Sequence, residues 1–420
     1  MASLSLPTAC LALTLLTHWA AAQSAGAPPP KFVPRTSGPS PLARANADFA
    51  FRMYCRHLDS HASSNFAISP ASVTQSLAQL YAGAAGATAE QMRNVMKLKG
   101  EPTDLDMHRE LAGLAAPGDG EGYNFSLASR VYLNEGFEPL EGYSSLIGDV
   151  YGAEAEVLDF GASPEASRRA INEWVEGRTG GRIADLVPEG SLGPDTRMVL
   201  ANALYFRASW ATQFDPAETQ KAQFRAGGDG NSTVDMMKLE SMFAHAAVTE
   251  RDLQVLELPY SGGRFSMFVV LPDAADGLPA VEASFCDGNG NGGSVVFGLN
   301  ERLTPRVVVV NLPRFSVEGS VELHDLLPEI GMRDAFNASA ADLSGIDGRG
   351  ELYVTAAQHK AFVEVNEEGT EAAAGTAMQV AMRSLPPTFE ADRPFMFYIM
   401  DNANKALVML GRMWDPEVKA

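Results

Sequence analysis

Apolar residues recur along this chain with two different periods. A spacing of three or four residues predicts amphipathic helices near residues 45–58 and 73–80. Alternating or continuous apolar runs predict strands at residues 125–134, 196–206 and 307–312. The second of these runs is apolar almost throughout, which is typical of a strand covered on both faces. Helical and strand patterns interleave without an internal boundary, so we expect one mixed α/β domain.

Turn-forming residues mark where several elements begin or end. Gly262 and Gly263 separate two apolar runs and predict a hairpin. Ser163 followed by Pro164 has the order favoured at a helix start. Residues 286–293 are rich in Gly and Asn and predict a loop.

The stretch from Glu367 to Ser384 has the period of a strand but a composition that suits strands poorly. Ala and Gly are depleted in stable sheets, and Pro386 and Pro387 stop a ladder soon afterwards. Every second position of the stretch is uncharged and either small or apolar. These positions can therefore be buried without the several kcal/mol that burial of an unpaired charge would cost. These positions are Thr370, Ala372, Ala374, Thr376, Met378 and Val380. We interpret the stretch as an exposed loop that can become a buried strand.

The same stretch resembles the reactive loop of the serpins, a family of serine protease inhibitors. Residues 367–375 are similar to the proximal hinge of inhibitory members, and seventeen residues counted inclusively from Glu367 end at Arg383. Residues 196–210, 341–345 and 392–397 also resemble family signatures. The resemblance is to inhibitory members such as antithrombin and antitrypsin, and it covers residues 45–416 without a gap.

This resemblance implies a fold and a mechanism. The implied fold is mixed α/β (α+β), with a large central, mainly antiparallel sheet, flanking helices and an exposed reactive loop at about residues 367–390. In the implied mechanism, a protease cleaves a bait bond, and the loop then inserts into the sheet and traps the acyl-enzyme. The implied hinge positions are Glu367, Glu368, Gly369, Thr370, Glu371, Ala372, Ala373 and Ala374.

The bait bond implied by this register joins Arg383 and Ser384. Trypsin-like proteases hold a buried carboxylate in their specificity pocket, and a long cation satisfies it. We therefore expect a suicide-substrate inhibitor that forms a covalent complex with a trypsin-like serine protease. A non-inhibitory serpin acting as a carrier or chaperone is the alternative interpretation.

Two further sets of residues resemble the parts of a serpin that let its central sheet open. The first set matches a polar cluster beneath the opening point and comprises Ser69, Ser72, Asn202 and His359. The second matches the gate where the loop first enters the sheet and comprises Trp210, Arg314 and Glu367. The first set could also suggest a hydrolase, but the chain has no Gly-x-Ser-x-Gly nucleophile motif, so we expect no catalytic residues.

Charge and composition restrict the partners. The 420 residues carry a formal net charge of −20, which argues against nucleic acids and membrane surfaces. Residues 101–114, where some serpins have a basic heparin-binding helix, are acidic, so glycosaminoglycan binding is unsupported at that helix. No zinc-ligand spacing or phosphate-binding glycine loop occurs. We expect no metal, no cofactor and a monomer.

The amino-terminal residues predict secretion. Residues 1–22 resemble a signal peptide, with an apolar centre and small residues at Ala20, Ala21 and Ala22. Residues 23–44 are rich in Pro, Ala, Ser and Gly and predict a disordered tail. We therefore expect a single domain at residues 45–420 of an extracellular protein.

Cysteines and glycosylation sequons are few. Cys10 would leave with the signal peptide, and the sequence leaves a bridge or two free thiols equally open for Cys55 and Cys286. We expect at least some of the sequons to carry glycans on exposed loops. The sequons begin at Asn124, Asn231 and Asn337.

Overall fold

The computed structural model describes residues 38–116, 118–120, 122–228, 230–286, 290–368 and 385–417. The predicted signal peptide, most of the predicted tail and the bait segment at residues 369–384 lie outside these ranges.

Helices and strands alternate along the described chain. The α-helices are α1 Pro41–Leu58, α2 Pro70–Tyr81, α3 Gly86–Met96, α4 Leu105–Gly113, α5 Glu141–Tyr151, α6 Pro164–Arg178, α7 Leu278–Phe285, α8 Gly292–Arg302, α9 Leu323–Glu329 and α10 Ser344–Asp347. The first strands are β1 Phe66–Ile68, β2 Gly118–Gly120, β3 Tyr123–Asn134, β4 Ala155–Leu158, β5 Met198–Ala208, β6 Gln220–Phe224, β7 Ser232–Val248 and β8 Leu253–Pro259. The remaining strands are β9 Phe265–Pro272, β10 Thr304–Pro313, β11 Phe315–Glu322, β12 Ala356–Val365, β13 Thr388–Glu390, β14 Phe395–Asp401 and β15 Leu407–Met413.

The described strands form two sheets. One has the order β11-β12-β5-β3-β2, with β4 also paired to β3, and it is the central sheet. The other has the order β1-β15-β14-β9-β8-β7-β10-β13, with β6 paired to β7. The predicted hairpin is confirmed as the antiparallel pair β8 and β9, and Gly262 and Gly263 adopt the positive φ values that the turn requires.

Strand β5 lies in the middle of the central sheet with helices on both faces. Met198, Leu200, Leu204 and Phe206 pack into the core that contains α2, whose residues are all buried. The alternate residues 199, 201, 203 and 205 pack with Ile171 and Val175 of α6 in a second core. This double burial explains the continuous apolar sequence of β5.

The central sheet contains an unusual internal pair. Strands β5 and β12 are parallel neighbours, registered from Val199 opposite Ala356 to Phe206 opposite Val363. The outer partners are antiparallel, since β11 pairs with β12 and β3 pairs with β5 in that sense. We call the β5–β12 contact the seam.

The domain begins earlier than the sequence pattern predicts. The boundary at residue 45 is wrong, because α1 starts at Pro41 and residues 41–44 are helical. Ser40 caps this helix by accepting a hydrogen bond from Ala43 N at 3.0 Å, and Pro41 occupies the first turn, where its missing N–H costs nothing. Ala43 is buried in the core and Leu42 packs against it, so these residues belong to the folded domain.

The structure decides between a disulfide and two free thiols, which the sequence left open. Cys55 of α1 and Cys286, directly after α7, form a disulfide with Cα atoms 5.6 Å apart. The bridge joins residues separated by 231 positions in the chain and fastens α7 to α1. None of the helices in the described ranges has the length and apolar character to cross a membrane.

Candidate functional site: the seam of the central sheet

A buried histidine and asparagine face each other across the middle of the seam. His359 of β12 is the register partner of Asn202 of β5, and both are almost completely inaccessible to solvent. His359 Nδ1 lies 2.6 Å from Asn202 Oδ1, and His359 Nε2 lies 2.9 Å from the backbone N of Ser69. Because Nε2 must accept from that N–H, the ring proton is on Nδ1 and is donated to Asn202.

Helix α2 closes the cluster from below the sheet. Ser72 Oγ donates to Asn202 Oδ1 at 2.9 Å, and Asn202 Nδ2 donates to the backbone oxygen of Ser72 at 3.1 Å. Ser69 caps α2 and donates its hydroxyl to Val408 O of β15 at 2.7 Å. The structure therefore brings Ser69, Ser72, Asn202 and His359 together as one hydrogen-bonded set, which we call the seam cluster.

The cluster continues to residues that the sequence analysis missed. Asn202 Nδ2 also donates to Ser76 Oγ at 2.9 Å, and Ser76 Oγ lies 2.7 Å from Ser129 Oγ of β3. Gln79 Nε2 donates to Ser129 Oγ at 3.1 Å. A usable signal was present, because Ser72 and Ser76 are four residues apart and share one face of α2. The network thus spans β3, β5 and β12.

The seam cluster is electrically neutral. Burial, with a smaller contribution from His57, lowers the pKa of His359 to about 3, so the imidazole carries no charge at neutral pH. A neutral network whose members satisfy one another can be buried at low cost. Both ring nitrogens are occupied by Ser69 N–H and Asn202, and neither serine hydroxyl bonds to the ring. The arrangement therefore has no activated nucleophile.

A charged contact closes the end of the seam from which the predicted loop departs. Glu367 lies two residues beyond β12, and 5% of its side chain is exposed. Arg314 donates from Nη2 to Glu367 Oε1 at 2.5 Å and from Nε to Oε2 at 3.1 Å, a bidentate geometry. Thr219 Oγ1 donates a further hydrogen bond to Glu367 Oε1 at 2.6 Å.

The electrostatics of this contact favour both charged forms. Burial works to raise the pKa of Glu367, but the hydrogen bonds from Arg314 and Thr219 outweigh it and keep the pKa below the usual value. The hydrogen bond to Glu367 is the largest cause of the raised pKa of Arg314. The pair is therefore ionised at neutral pH.

Trp210 forms hydrogen bonds with the backbone of both residues that flank Glu367. Its Nε1 donates to Asn366 O at 2.9 Å, and its backbone N donates to Glu368 O at 3.3 Å. Its ring stacks on Tyr260, with centroids 4.4 Å apart. Trp210, Arg314 and Glu367 thus meet at one place, which we call the hinge gate. Of the predicted hinge positions, Glu367 and Glu368 are described; Gly369, Thr370, Glu371, Ala372, Ala373 and Ala374 lie outside the described residues, as do Arg383 and Ser384.

Comparison with known proteins places this geometry in a family. Residues 44–416 match the family described as Serpin (serine protease inhibitor). The chain belongs to the serpin family. The family description and the names of the relatives are those of protease inhibitors, not of enzymes. The serpin fold expected from the sequence is confirmed, including the mixed sheets and flanking helices.

Individual serpins are similar over nearly their whole length. Leukocyte elastase inhibitor of Equus caballus is 35% identical over 388 residues, covering 89% of this chain and 99% of the relative. Serpin B6 of Macaca fascicularis is 36% identical over 379 residues, with the same coverage of 89% and 99%. The structure of uncleaved ovalbumin aligns with a TM-score of 0.80 at 28% identity, covering 90% of this serpin and 100% of ovalbumin.

The predicted glycosylation sequons are at the surface of this serpin. Asn231 and Asn337 are exposed in connecting segments. Asn124 is exposed too, but it lies in β3 opposite Arg207 of β5, so its placement on a strand differs from the expected loop.

Two further predictions, on glycosaminoglycan binding and on metal binding, concern parts of the molecule away from the seam. Helix α4, in the acidic segment, pairs Arg109 with Asp106 at 2.9 Å. Across the described ranges, no three His, Cys, Asp or Glu side chains gather as metal ligands would.

Proposed function

We propose that this serpin is a secreted suicide-substrate inhibitor of a trypsin-like serine protease, cleaved between Arg383 and Ser384. After cleavage, the segment following Glu368 would insert between β5 and β12 while the protease is still attached as an acyl-enzyme. The product is a covalent complex with the protease, formed by a monomeric inhibitor that needs no cofactor.

The parallel seam is the observation that carries this proposal. A chain that leaves β12 at Val365 and turns back on itself would run antiparallel to β12. Because β5 is parallel to β12, the same returning strand would be antiparallel to β5 as well. The seam can therefore accept one additional strand with antiparallel ladders on both sides, and the hinge gate fixes the point at which the chain turns.

Length also supports insertion. Sixteen residues, 369–384, separate Glu368 from Leu385. The registered part of the seam, from Val199 to Phe206, spans eight residues. At about 3.3 Å per residue, a strand of some twelve inserted residues would move its far end by about 40 Å. That distance exceeds the length of the seam, so a tethered protease would be carried past its far end.

The choice of a trypsin-like target rests on Arg383. A buried carboxylate in the protease pocket would be satisfied by this guanidinium and left unpaired by Leu or Met. The relative from Equus caballus is named for leukocyte elastase, a target given for that protein. Proteases that cleave after arginine, with elastase as comparison, are therefore the decisive panel.

A gel assay tests the inhibitory function. Mixing the full chain with trypsin is expected to give a band at the summed mass that survives boiling in detergent, and Arg383→Lys should retain it. Arg383→Leu should lose the trypsin complex and favour chymotrypsin-like enzymes. Cleavage after Arg383 without any covalent band would instead support the carrier or chaperone alternative. Trypsin inhibition unchanged in Arg383→Leu would refute the assignment of the bait bond.

Secretion is supported by several separate features. The Cys55–Cys286 disulfide is typical of oxidising compartments, and exposed sequons occur at Asn124, Asn231 and Asn337. The signal-like residues 1–22 agree with both. Expression from the full-length gene in a secretory eukaryotic cell should deliver protein to the medium with its first residue after Ala22 and with glycans removable by N-glycosidase. Retention of an unprocessed, unglycosylated chain inside the cell would contradict secretion.

A further inference from the structure

A pocket of about 370 Å³ lies between the start of α7 and three connections of the second sheet. These connections are the turn from β6 to β7, the residue before β14 and the residue after β15. Among the described residues that line the pocket, none belongs to the seam cluster or the hinge gate. The proposed inhibitory mechanism therefore assigns this pocket no role.

The pocket combines apolar walls with a small number of charged groups. Arg225 and Asp276 supply the charges, and both are exposed. Apolar walls with a few polar groups are the usual composition of a small-ligand site of this volume. A pyranose ring matches this composition, because it has C–H groups on its faces and hydroxyl groups around its edge. The large apolar side chains of the walls are Leu278, Pro279, Pro394 and Trp414.

Asn231 is itself part of the lining. It is the exposed first residue of the sequon at residues 231–233 and directly precedes β7. The next residue, Ser232, is buried and donates its hydroxyl to Asp415 Oδ1 at 2.7 Å. Near the start of the same turn, Gly227 N donates to Trp414 O at 3.2 Å. The turn is thus fastened at both ends to the residues that follow β15, which holds Asn231 at the pocket.

The exposed part of Trp414 is a rigid wall. A Cβ on Gly227 would collide with the indole ring, so the turn packs directly on it. The guanidinium of Arg412 lies 4.6 Å from the centroid of the same aromatic side chain. Because these contacts fix the indole before any ligand is bound, little conformational entropy is lost when a ligand packs against it.

We propose that the first N-acetylglucosamine of a glycan on Asn231 occupies this pocket and packs against Trp414 and Pro279. The inference rests on the secretion that is part of the proposed function, because Asn-linked glycans are added to secreted chains. Covalent attachment makes the contact intramolecular, so a weak interaction between one sugar and the pocket is enough to fill it. The occupied pocket ties the turn between β6 and β7 to the start of α7.

The test measures how fast N-glycosidase releases each glycan from the native full chain, produced in a secretory eukaryotic cell. Asn337 is the reference within the same molecule, because it is exposed and does not line the pocket, and Asn124 takes its place if Asn337 is unmodified. The ratio of the two release rates is divided by the ratio for the chain unfolded in detergent, which removes the effect of local sequence. Trp414→Leu and Pro279→Ala each remove part of the apolar wall. Trp174→Leu on α6 is the matched control, since it changes another partly buried tryptophan that lies outside the pocket.

We expect the glycan on Asn231 of the native chain to be released about tenfold more slowly than the reference glycan, which corresponds to about 1.4 kcal/mol of packing. Trp414→Leu should bring the ratio close to one, and Pro279→Ala should change it in the same direction. Trp174→Leu should leave the ratio unchanged.

Three results would overturn this inference. Equal release from both sites, or a ratio that neither wall variant changes, would show that the sugar does not occupy the pocket and would leave secretion intact. A bare Asn231 in a secreted chain would leave the pocket to another occupant. A chain retained in the cell without glycans would contradict the secretion in the proposed function, and this inference with it. Covalent complex formation with trypsin, measured separately, decides the inhibitory function alone.

Discussion

The seam is held at two places by different kinds of chemistry. In its middle, the seam cluster is neutral and buried, and each member bonds to another member of the network. At its end, the hinge gate joins a buried Glu367 to an Arg314 whose side chain is 47% exposed. Four strand positions, or about 13 Å, separate Asn202 from Phe206 at the gate end.

The difference suggests a division of roles. Disrupting part of a buried network leaves donors and acceptors unpaired, so the seam cluster gives an all-or-none resistance to separation of β5 and β12. The half-exposed ion pair at the gate can be replaced by water at lower cost, so it suits the place where opening begins. We therefore expect mutations in the cluster to reduce stability more than mutations in the gate.

The largest effect is expected for Asn202→Ala. This change removes the acceptor of His359 Nδ1–H in the interior and takes one hydrogen bond each from Ser72 Oγ and Ser76 Oγ. We expect a loss of about 3 kcal/mol and faster formation of loop-sheet polymers on mild heating. Thermal unfolding at a fixed scan rate and native gels measure the two effects. Asn172→Ala on α6, which removes a buried asparagine from a different site, is the control for general destabilisation.

A smaller effect is expected for Glu367→Lys. The new cation would face Arg314 and leave Thr219 without its acceptor, and exposure of Arg314 moderates the cost to about 2 kcal/mol. Native gels after gentle heating should show polymers that Glu218→Lys, an exposed neighbour, does not form. If Glu367→Lys stays monomeric under conditions that polymerise Asn202→Ala, the hinge gate does not help to keep the seam closed.

The two places also titrate in different pH ranges. His359 has a folded pKa of about 3 against an ordinary value of 6.5, so between these limits the unfolded chain binds a proton that the folded chain excludes. Stability from this group is therefore complete above about pH 6.5 and falls as the pH drops. The pKa of Glu367 is lowered from 4.5, so the stability that its ionised form contributes is lost only as the pH falls below that value.

The pH dependence gives the smallest predicted effect. Between about pH 6.5 and 5.5, His359→Asn should reduce the acid-induced loss of the free energy of unfolding by up to about 1.4 kcal/mol, measured by thermal unfolding across this pH range. Burial, with a contribution from His61, lowers the pKa of His57 to about 4, so a residual pH dependence will remain in His359→Asn. An identical slope in His359→Asn and the unmodified chain would contradict the neutral, buried assignment.

Several parts of this organisation could be predicted from the sequence. The apolar run of β5 predicted a strand, and Gly262 and Gly263 predicted a hairpin. Both predictions succeeded because burial and turn geometry leave a pattern in residues that are close in the sequence. The members of the cluster and gate were identified by resemblance, since nothing in their spacing brings Ser69 near His359. Ser76, Ser129 and Gln79 were missed because their roles depend on the packing of α2 under β3.

Other parts depend on contacts that no local pattern contains. The parallel sense of β5 and β12 requires knowing which strands are neighbours across more than 150 residues. The expected loop at residues 286–293 is partly wrong, because α8 begins at Gly292. Glycine is needed there for close packing, as a Cβ on Gly292 would lie 2.4 Å from Phe51 Cγ of α1.

A reversible lock across the seam tests the central claim most directly. Ala203 and Lys360 are register partners on β5 and β12, so the double variant Ala203→Cys and Lys360→Cys should form a disulfide that prevents the strands from separating. We predict that the oxidised double variant is cleaved after Arg383 as a plain substrate without a covalent protease complex. Mild reduction should restore the complex, while each single variant traps protease under both conditions. An oxidised double variant that traps protease as efficiently as the unmodified chain would show that the seam does not have to open.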